Sequence, residues 1–154
     1  MGIPEARCEF FSNTIETRFY NVPDNGIVGK LAGDWTKTGG GGGWYLSAIE
    51  LAQFLAHVRY NDKILTPATR KLMDENYLGW MDPAAWDLNR EYGAYLGHRG
   101  DLNWRDANKV RIAGMTSLIL NYPYGVQVSL LVNSLGTYGS THDVVAKAFD
   151  AAWK

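Results

Sequence analysis

The sequence predicts an α+β fold: an antiparallel sheet with flanking helices. Three observations lead there. Residues 47–60 and 141–153 repeat apolar side chains at helical spacing behind helix-starting residues. Two apolar runs, Met115 to Tyr122 and Val126 to Asn133, are joined by Pro123-Tyr124-Gly125 and read as a hairpin. The order loop, helix, helix, strand, hairpin, helix segregates helices from strands.

Each element follows from local residues. Residues 1–43 show no sustained period, and Pro4, Pro23, Asn25-Gly26, Gly29 and Gly33 punctuate them. An irregular segment this long suggests that it leans on something else. Ser47 opens the first helix and has capping-box spacing with Glu50. Ile49, Leu51, Phe54, Leu55 and Val58 then recur on its expected buried face, and Asn61-Asp62 closes it. Thr66 caps a second helix with Pro67 in its first turn, running to about Asn76. Residues 77–91 read as a loop rich in Trp, Pro and Asp. Tyr92 to His98 reads as a strand containing glycines, and polar Arg99 to Val110 as another loop. In the last helix, Thr141 to Trp153, Ser140 or Thr141 is the cap and Asp143 suits the first turn. Its expected buried face is Val144, Val145, Ala148, Phe149, Ala152 and Trp153.

Composition removes several function classes. The 154 residues suffice for one domain with a modest core. Net charge is −1 and no basic patch stands out, which argues against a nucleic-acid partner. Aromatic residues reach 13%, enough to wall a pocket or fill a core. One cysteine, Cys8, leaves no internal disulfide and fits either redox compartment. No apolar run approaches the roughly 20 residues of a membrane span. The opening MGIPEARC lacks the basic and apolar regions of a signal peptide, which as it stands fits a cytoplasmic chain and leaves the compartment open. Ala6 stands where a myristoylation site needs Ser or Thr.

Candidate chemistry is sparse. His57 lies beside apolar helix positions and reads as structural; His142, in the first turn of the last helix, reads as solvated. His98 differs. In YGAYLGHRGDLNW it is flanked by Gly97 and Gly100, and glycines at a strand end permit close approach of a ligand or another backbone. The same pattern also fits a plain strand end turning into a loop. Neither metal nor cofactor is expected: the three His are far apart, and Asp82, Asp87 and Asp101 form no calcium loop. The glycines of TKTGGGGGWYLSA do not lead into Gly-Lys-Ser/Thr, so they form no phosphate loop. No serine is followed at the third position by lysine, whose amine could take the hydroxyl proton; Ser12, Ser47, Ser117, Ser129, Ser134 and Ser140 all fail. There is no Gly-x-Ser-x-Gly, and Cys8 reads as an ordinary thiol.

Taken in order, several segments resemble a known family. They are GGGGGWYLSAIELAQFLAHV, ILTPATRKLM, YGAYLGHRGDLNW, GMTSLILNYPYGVQVSLLVNS and AFDAAWK. Together they look like the C-terminal half of a serine β-lactamase-like protein, in the group of class C β-lactamases, D-alanyl-D-alanine carboxypeptidases and esterases. The match runs from about Gly39 onward. MGIPEARC is similar to the Leu-Gly-Met segment after that family's central helices, and Phe19-Tyr20 fits a downstream aromatic. The resemblance implies a single partial domain over 1–154, with 1–43 irregular and 44–154 bearing helices, a three-stranded antiparallel sheet and a C-terminal helix.

It also implies three catalytic motifs: Ser-x-x-Lys, Tyr-x-Asn, and Lys-Thr-Gly or His-x-Gly on a sheet-edge strand lining the site. Only the third maps here, to His98-Arg99-Gly100. The residue after that box lends its N–H to the oxyanion hole, which would be Asp101; such a donor is worth about 3 kcal/mol. The implied catalytic residues are thus His98, Gly100 and Asp101, with Arg99, Trp44 and Tyr45 on the substrate side. The literal Lys37-Thr38-Gly39 lies before the first helix, in irregular chain, and reads as a decoy. Ser-x-x-Lys is absent, and Tyr20-Asn21, Tyr60-Asn61 and Asn121-Tyr122 all lack the Tyr-x-Asn spacing.

Two readings follow, with a third behind them. The chain is the C-terminal portion of a β-lactamase-related serine hydrolase, inactive alone, whose N-terminal half is missing or on another chain. Alternatively it is a non-catalytic remnant or interaction module of that fold. The third is an unrelated α+β binding protein with an aromatic pocket. The first implies a small acyl substrate (a β-lactam, a D-alanyl peptide or an ester) and a family often exported. It also implies that Val126 to Asn133 presents an open edge, to the missing half or to a second copy.

Overall fold

The helix start at Thr66-Pro67 follows its local signals. The computed structural model describes residues 20–21, 37, 40–82, 89–90, 93–135 and 141–152, and the expectations for MGIPEARC, Cys8, the 4–33 punctuation, residues 83–88 and Trp153 lie outside them. Helix α1 covers Ala48–Tyr60, directly after Ser47. Helix α2 covers Pro67–Glu75. Thr66 is extended and its Oγ1 accepts the Thr69 N–H at 3.2 Å, satisfying one donor that the first turn leaves over. Pro67, with no N–H to leave unpaired, takes the first helical position. Near the ends of these helices, Arg59 grips Asp74 with two parallel bonds of 2.7 and 2.9 Å.

The buried face of α1 is narrower than its composition predicts. Leu55 is fully buried, whereas Ile49 is 72% and Phe54 45% exposed. At 3.6 residues per turn, Ile49 and Phe54 lie roughly 100° or more from Leu55, too far round to share its stripe. Leu51 and Val58 lie nearer it and are partly buried.

The chain makes an α+β arrangement with a three-stranded antiparallel sheet and three helices among the described residues. Its strands are β4 (Leu96–Arg105), β5 (Arg111–Asn121) and β6 (Gln127–Val132). The expected hairpin is β5–β6, closed by Tyr122 N–H donating to the Val126 carbonyl at 2.8 Å. Short strands extend the sheet. β1 (Tyr20–Asn21) pairs antiparallel with β5 at Gly114 and parallel with β7 (Ser134–Leu135). β2 (Asn89–Arg90) and β3 (Gly93–Ala94) form a separate ribbon.

Four expectations are corrected here. Arg99 to Arg105 is strand, not loop; only Asp106–Val110 turns. Asp101, Asn103 and Arg105 are exposed while Leu102 and Trp104 are half-buried, so pairing with β5 outweighs their weak strand propensity. Asp106 builds that turn, its Oδ1 accepting from the N–H of Asn108 at 2.9 Å and Val110 at 2.8 Å. Tyr20–Asn21 and Asn89–Arg90 are strands inside segments expected to be irregular. The sheet is not wholly antiparallel, because β1 and β7 run parallel.

The fourth concerns α3 (Thr141–Ala152). Its buried stripe is His142, Val145, Ala146 and Phe149, not one through Val144, Ala148 and Ala152, which are exposed. The two stripes share Val145 and Phe149, so apolar counting cannot separate them. Ala146 is fully buried, and the His142 side chain is only 13% exposed rather than solvated.

Contacts divide the chain into two units, one within 1–47, 100–117 and 131–139, the other within 48–99, 118–130 and 140–154. The core of the second unit joins Tyr95, Leu118, Leu120 and Tyr122 to Ala146 and Phe149 of α3. Tyr122 stacks on Phe149 with ring centres 4.1 Å apart and tilts against Tyr95 at 4.7 Å. Val128 and Leu130 of β6 pack on this cluster, while Ser129 between them donates to the Ala48 carbonyl at 2.6 Å. Strand alternation therefore gives α3 one face and the start of α1 the other.

The β5–β6 turn carries local strain. Tyr124 has φ 63 and ψ 21, and Gly125 φ 75. Positive φ at both positions matches the strand twist and favours Asn-Gly; tyrosine bears the left-handed steric cost while 72% exposed. Tyr124→Asn should therefore raise stability by about 0.5–1 kcal/mol, read as a higher denaturation midpoint with unchanged slope.

Candidate functional site

The LGHRGDLNWR segment forms β4, and its glycines answer two separate demands. Gly97 is buried, and its carbonyl accepts the Met81 N–H at 2.7 Å. Gly100 faces Ser117 of β5: a Cβ at Gly100 would fall 2.6 Å from Ser117 Oγ. A Cβ there would force the Ser117 hydroxyl to move, because the Ser117 Cβ itself lies at an ordinary 4.0 Å. Next to it, Thr116 Oγ1 donates to Asp101 Oδ1 at 2.8 Å. Gly100 and Asp101 are thus held by β5 within the first unit.

His98 is held from elsewhere. Its Nδ1 lies 2.9 Å from the Gly79 carbonyl oxygen, in the turn after α2. A carbonyl only accepts, so Nδ1 carries the proton. That turn is itself fastened. Leu78 N–H donates to the Met73 carbonyl at 2.9 Å and Trp80 N–H to the Tyr77 carbonyl at 3.0 Å. Trp80 is 7% exposed, and its indole N–H reaches Asp74 Oδ1 at 3.0 Å. Asp74 is the carboxylate that Arg59 clasps. Gly79 at φ 79 supplies the left-handed bend.

The other expected site residues separate into two groups. Arg99 is half-buried beside His98 in the second unit. Trp44, 54% exposed, and Tyr45, half-buried, precede α1 in the first unit. Lys37 is exposed, and Thr38-Gly39 lie outside the described residues. Sequence reasoning missed Arg59, Asp74, Trp80 and Ser117. The first three lie on different elements, 15 and 6 residues apart, and no local pattern links them.

His57 shows the opposite tautomer. Asn61 Oδ1 accepts the Lys63 N–H at 3.0 Å, which turns the amide NH2 to His57 Nδ1, also at 3.0 Å. His57 Nδ1 is therefore the acceptor, which supports its structural reading.

Among the described residues, no three His, Cys, Asp or Glu gather as metal ligands would, and no helix is long and apolar enough to cross a membrane. No protein-family model matches the chain, and no curated protein or solved structure matches it.

The Gly100–Ser117 contact is directly testable. Gly100→Ala should cost about 1–3 kcal/mol, the usual cost of overpacking. Adding Ser117→Ala removes the hydroxyl and leaves the Ser117 Cβ at 4.0 Å, an ordinary contact, so the double variant should regain most of that loss in chemical denaturation.

Proposed function

We propose that this chain is the C-terminal portion of a β-lactamase-related serine hydrolase. Such an enzyme transfers an acyl group from a β-lactam, a D-alanyl peptide or an ester to a serine, then to water. One observation carries the reading: His98-Arg99-Gly100 lies on β4, which ends the strand order β4-β5-β1-β7. The third box of the resembled family lies on such an edge strand, followed by a hairpin and a terminal helix. Here β5, β6 and α3 follow in that order. The close approach of the Ser117 hydroxyl to Gly100 supports the same mapping.

In this reading His98 and Gly100 line the site, the Asp101 N–H contributes to an oxyanion hole, and Arg99, Trp44 and Tyr45 contact substrate. The nucleophile and its base belong to a segment bearing Ser-x-x-Lys and Tyr-x-Asn. Absence of both motifs favours, as second reading, a non-catalytic module of the same fold. Joining an N-terminal half with these motifs, in cis or in trans, separates the two: covalent labelling by a fluorescent penicillin or fluorophosphonate supports the hydrolase, and none supports the module.

The chain alone should hydrolyse neither nitrocefin nor p-nitrophenyl acetate above buffer, because no acyl-enzyme can form. Labelling of the chain alone by either probe would overturn this. Among the described residues β6 pairs only with β5, leaving its far edge to the absent half. The chain alone should therefore self-associate in light scattering as concentration rises; a monomer throughout would count against the open edge.

A further inference from the structure

We propose that Arg59, Asp74 and Trp80 are positioning residues that hold His98 with its proton on Nδ1, so that Nε2 offers a lone pair to a hydrogen-bond donor on the ligand. The inference rests on the hydrolase reading for its ligand, but the arrangement stands on geometry alone. Each link is a short polar contact: Arg59 to Asp74 at 2.7 and 2.9 Å, Trp80 Nε1 to Asp74 at 3.0 Å, and His98 Nδ1 to the Gly79 carbonyl at 2.9 Å. Trp80 adjoins Gly79, so fixing the indole fixes the carbonyl beside it. Met81 N–H, on the other side of Trp80, donates to Gly97 at 2.7 Å and ties the same turn to the strand next to His98. The turn is therefore fixed at both ends, by α2 and by β4.

The imidazole is exposed, and Nδ1 is the nitrogen the protein uses. Geometry turns Nε2 away from Gly79. In the neutral ring Nε2 is an acceptor and cannot donate. A lysine at the same position would present only donors. The group that suits the neutral ring is thus one that carries a hydrogen, such as a hydroxyl or the amide N–H of a peptide; an ester's alkoxy oxygen, which carries none, does not suit it.

The test uses the full chain and two-bond 1H–15N correlations of its histidines above their titration. In the unaltered chain His98 should show the Nδ1-protonated pattern and His57 the Nε2-protonated one. Trp80→Phe keeps an aromatic ring but removes the indole N–H. Asp74→Asn keeps the shape but loses the charged clasp of Arg59. In both variants the two His98 nitrogen shifts should converge as its tautomers exchange, while His57 stays as it was. Three results would overturn the proposal: an Nε2-protonated His98 in the unaltered chain, a His98 unmoved in both variants, or His57 released together with His98. None of these outcomes depends on hydrolysis, so failure here is distinct from failure to label a completed enzyme.

Discussion

Strand β5 carries Leu118 and Leu120 into a core from which water is excluded, and one residue earlier sets Ser117 against Gly100. These are consequences of one register. Side chains alternate along a strand, so a slip of one residue would put Ser117 where Leu118 is and turn the leucines outward. The register is therefore fixed by burial on one face and accompanied by close packing of the Ser117 hydroxyl on Gly100 on the other. Tyr122 prolongs the apolar face to the stack with Phe149, and such aromatic contacts add about 0.5–1.5 kcal/mol beyond their burial. β4 inherits its position from this pairing.

The outer edge of β4 is managed differently. An edge strand exposes unpaired backbone groups that invite association. Near Gly97 the Gly79–Met81 turn meets that edge, with backbone donation at Gly97 and acceptance from His98. What keeps the turn in place is the half-buried Arg59–Asp74 pair, with side chains 16% and 27% exposed. A pair this sheltered is a weak source of net stability but a strong source of geometry, because breaking it strands one charge. The third acceptor bond, from Trp80, satisfies more of the carboxylate and makes the arrangement more specific.

The sequence made the helices and the hairpin legible because their signals are local. Thr66-Pro67 and Pro123-Tyr124-Gly125 act within a few residues, and the structure places the α2 start and the β5–β6 turn there. What was hidden is pairwise and distant. The strand from Arg99 to Arg105 contains Gly, Asp and Asn, and only β5 makes it a strand. The α3 stripe could not be chosen between two overlapping sets until Ala146 was seen against the sheet. His98 and Gly100 were legible as a glycine-flanked pattern, but the reasons for both lie elsewhere: Gly79 for one, Ser117 for the other. Ring tautomers depend on such partners and have no signature in the chain itself.

That distinction bears on the two Lys-Thr-Gly-like stretches. Lys37 has the spelling and is exposed, and its neighbours Thr38 and Gly39 lie outside the described residues. His98 lies on β4 and brings different chemistry. Lysine would bring a mobile ammonium on a flexible stem, whereas His98 brings a short, planar ring already bonded on one side. A ring fixed in this way loses little freedom when a ligand arrives, so its hydrogen bond is worth more per contact than one from a free side chain. The benefit depends on the ligand offering a donor. On the proposed hydrolase reading, with a nucleophile supplied by another segment, this ring in its neutral form would favour ligands that present a hydroxyl or amide N–H at Nε2.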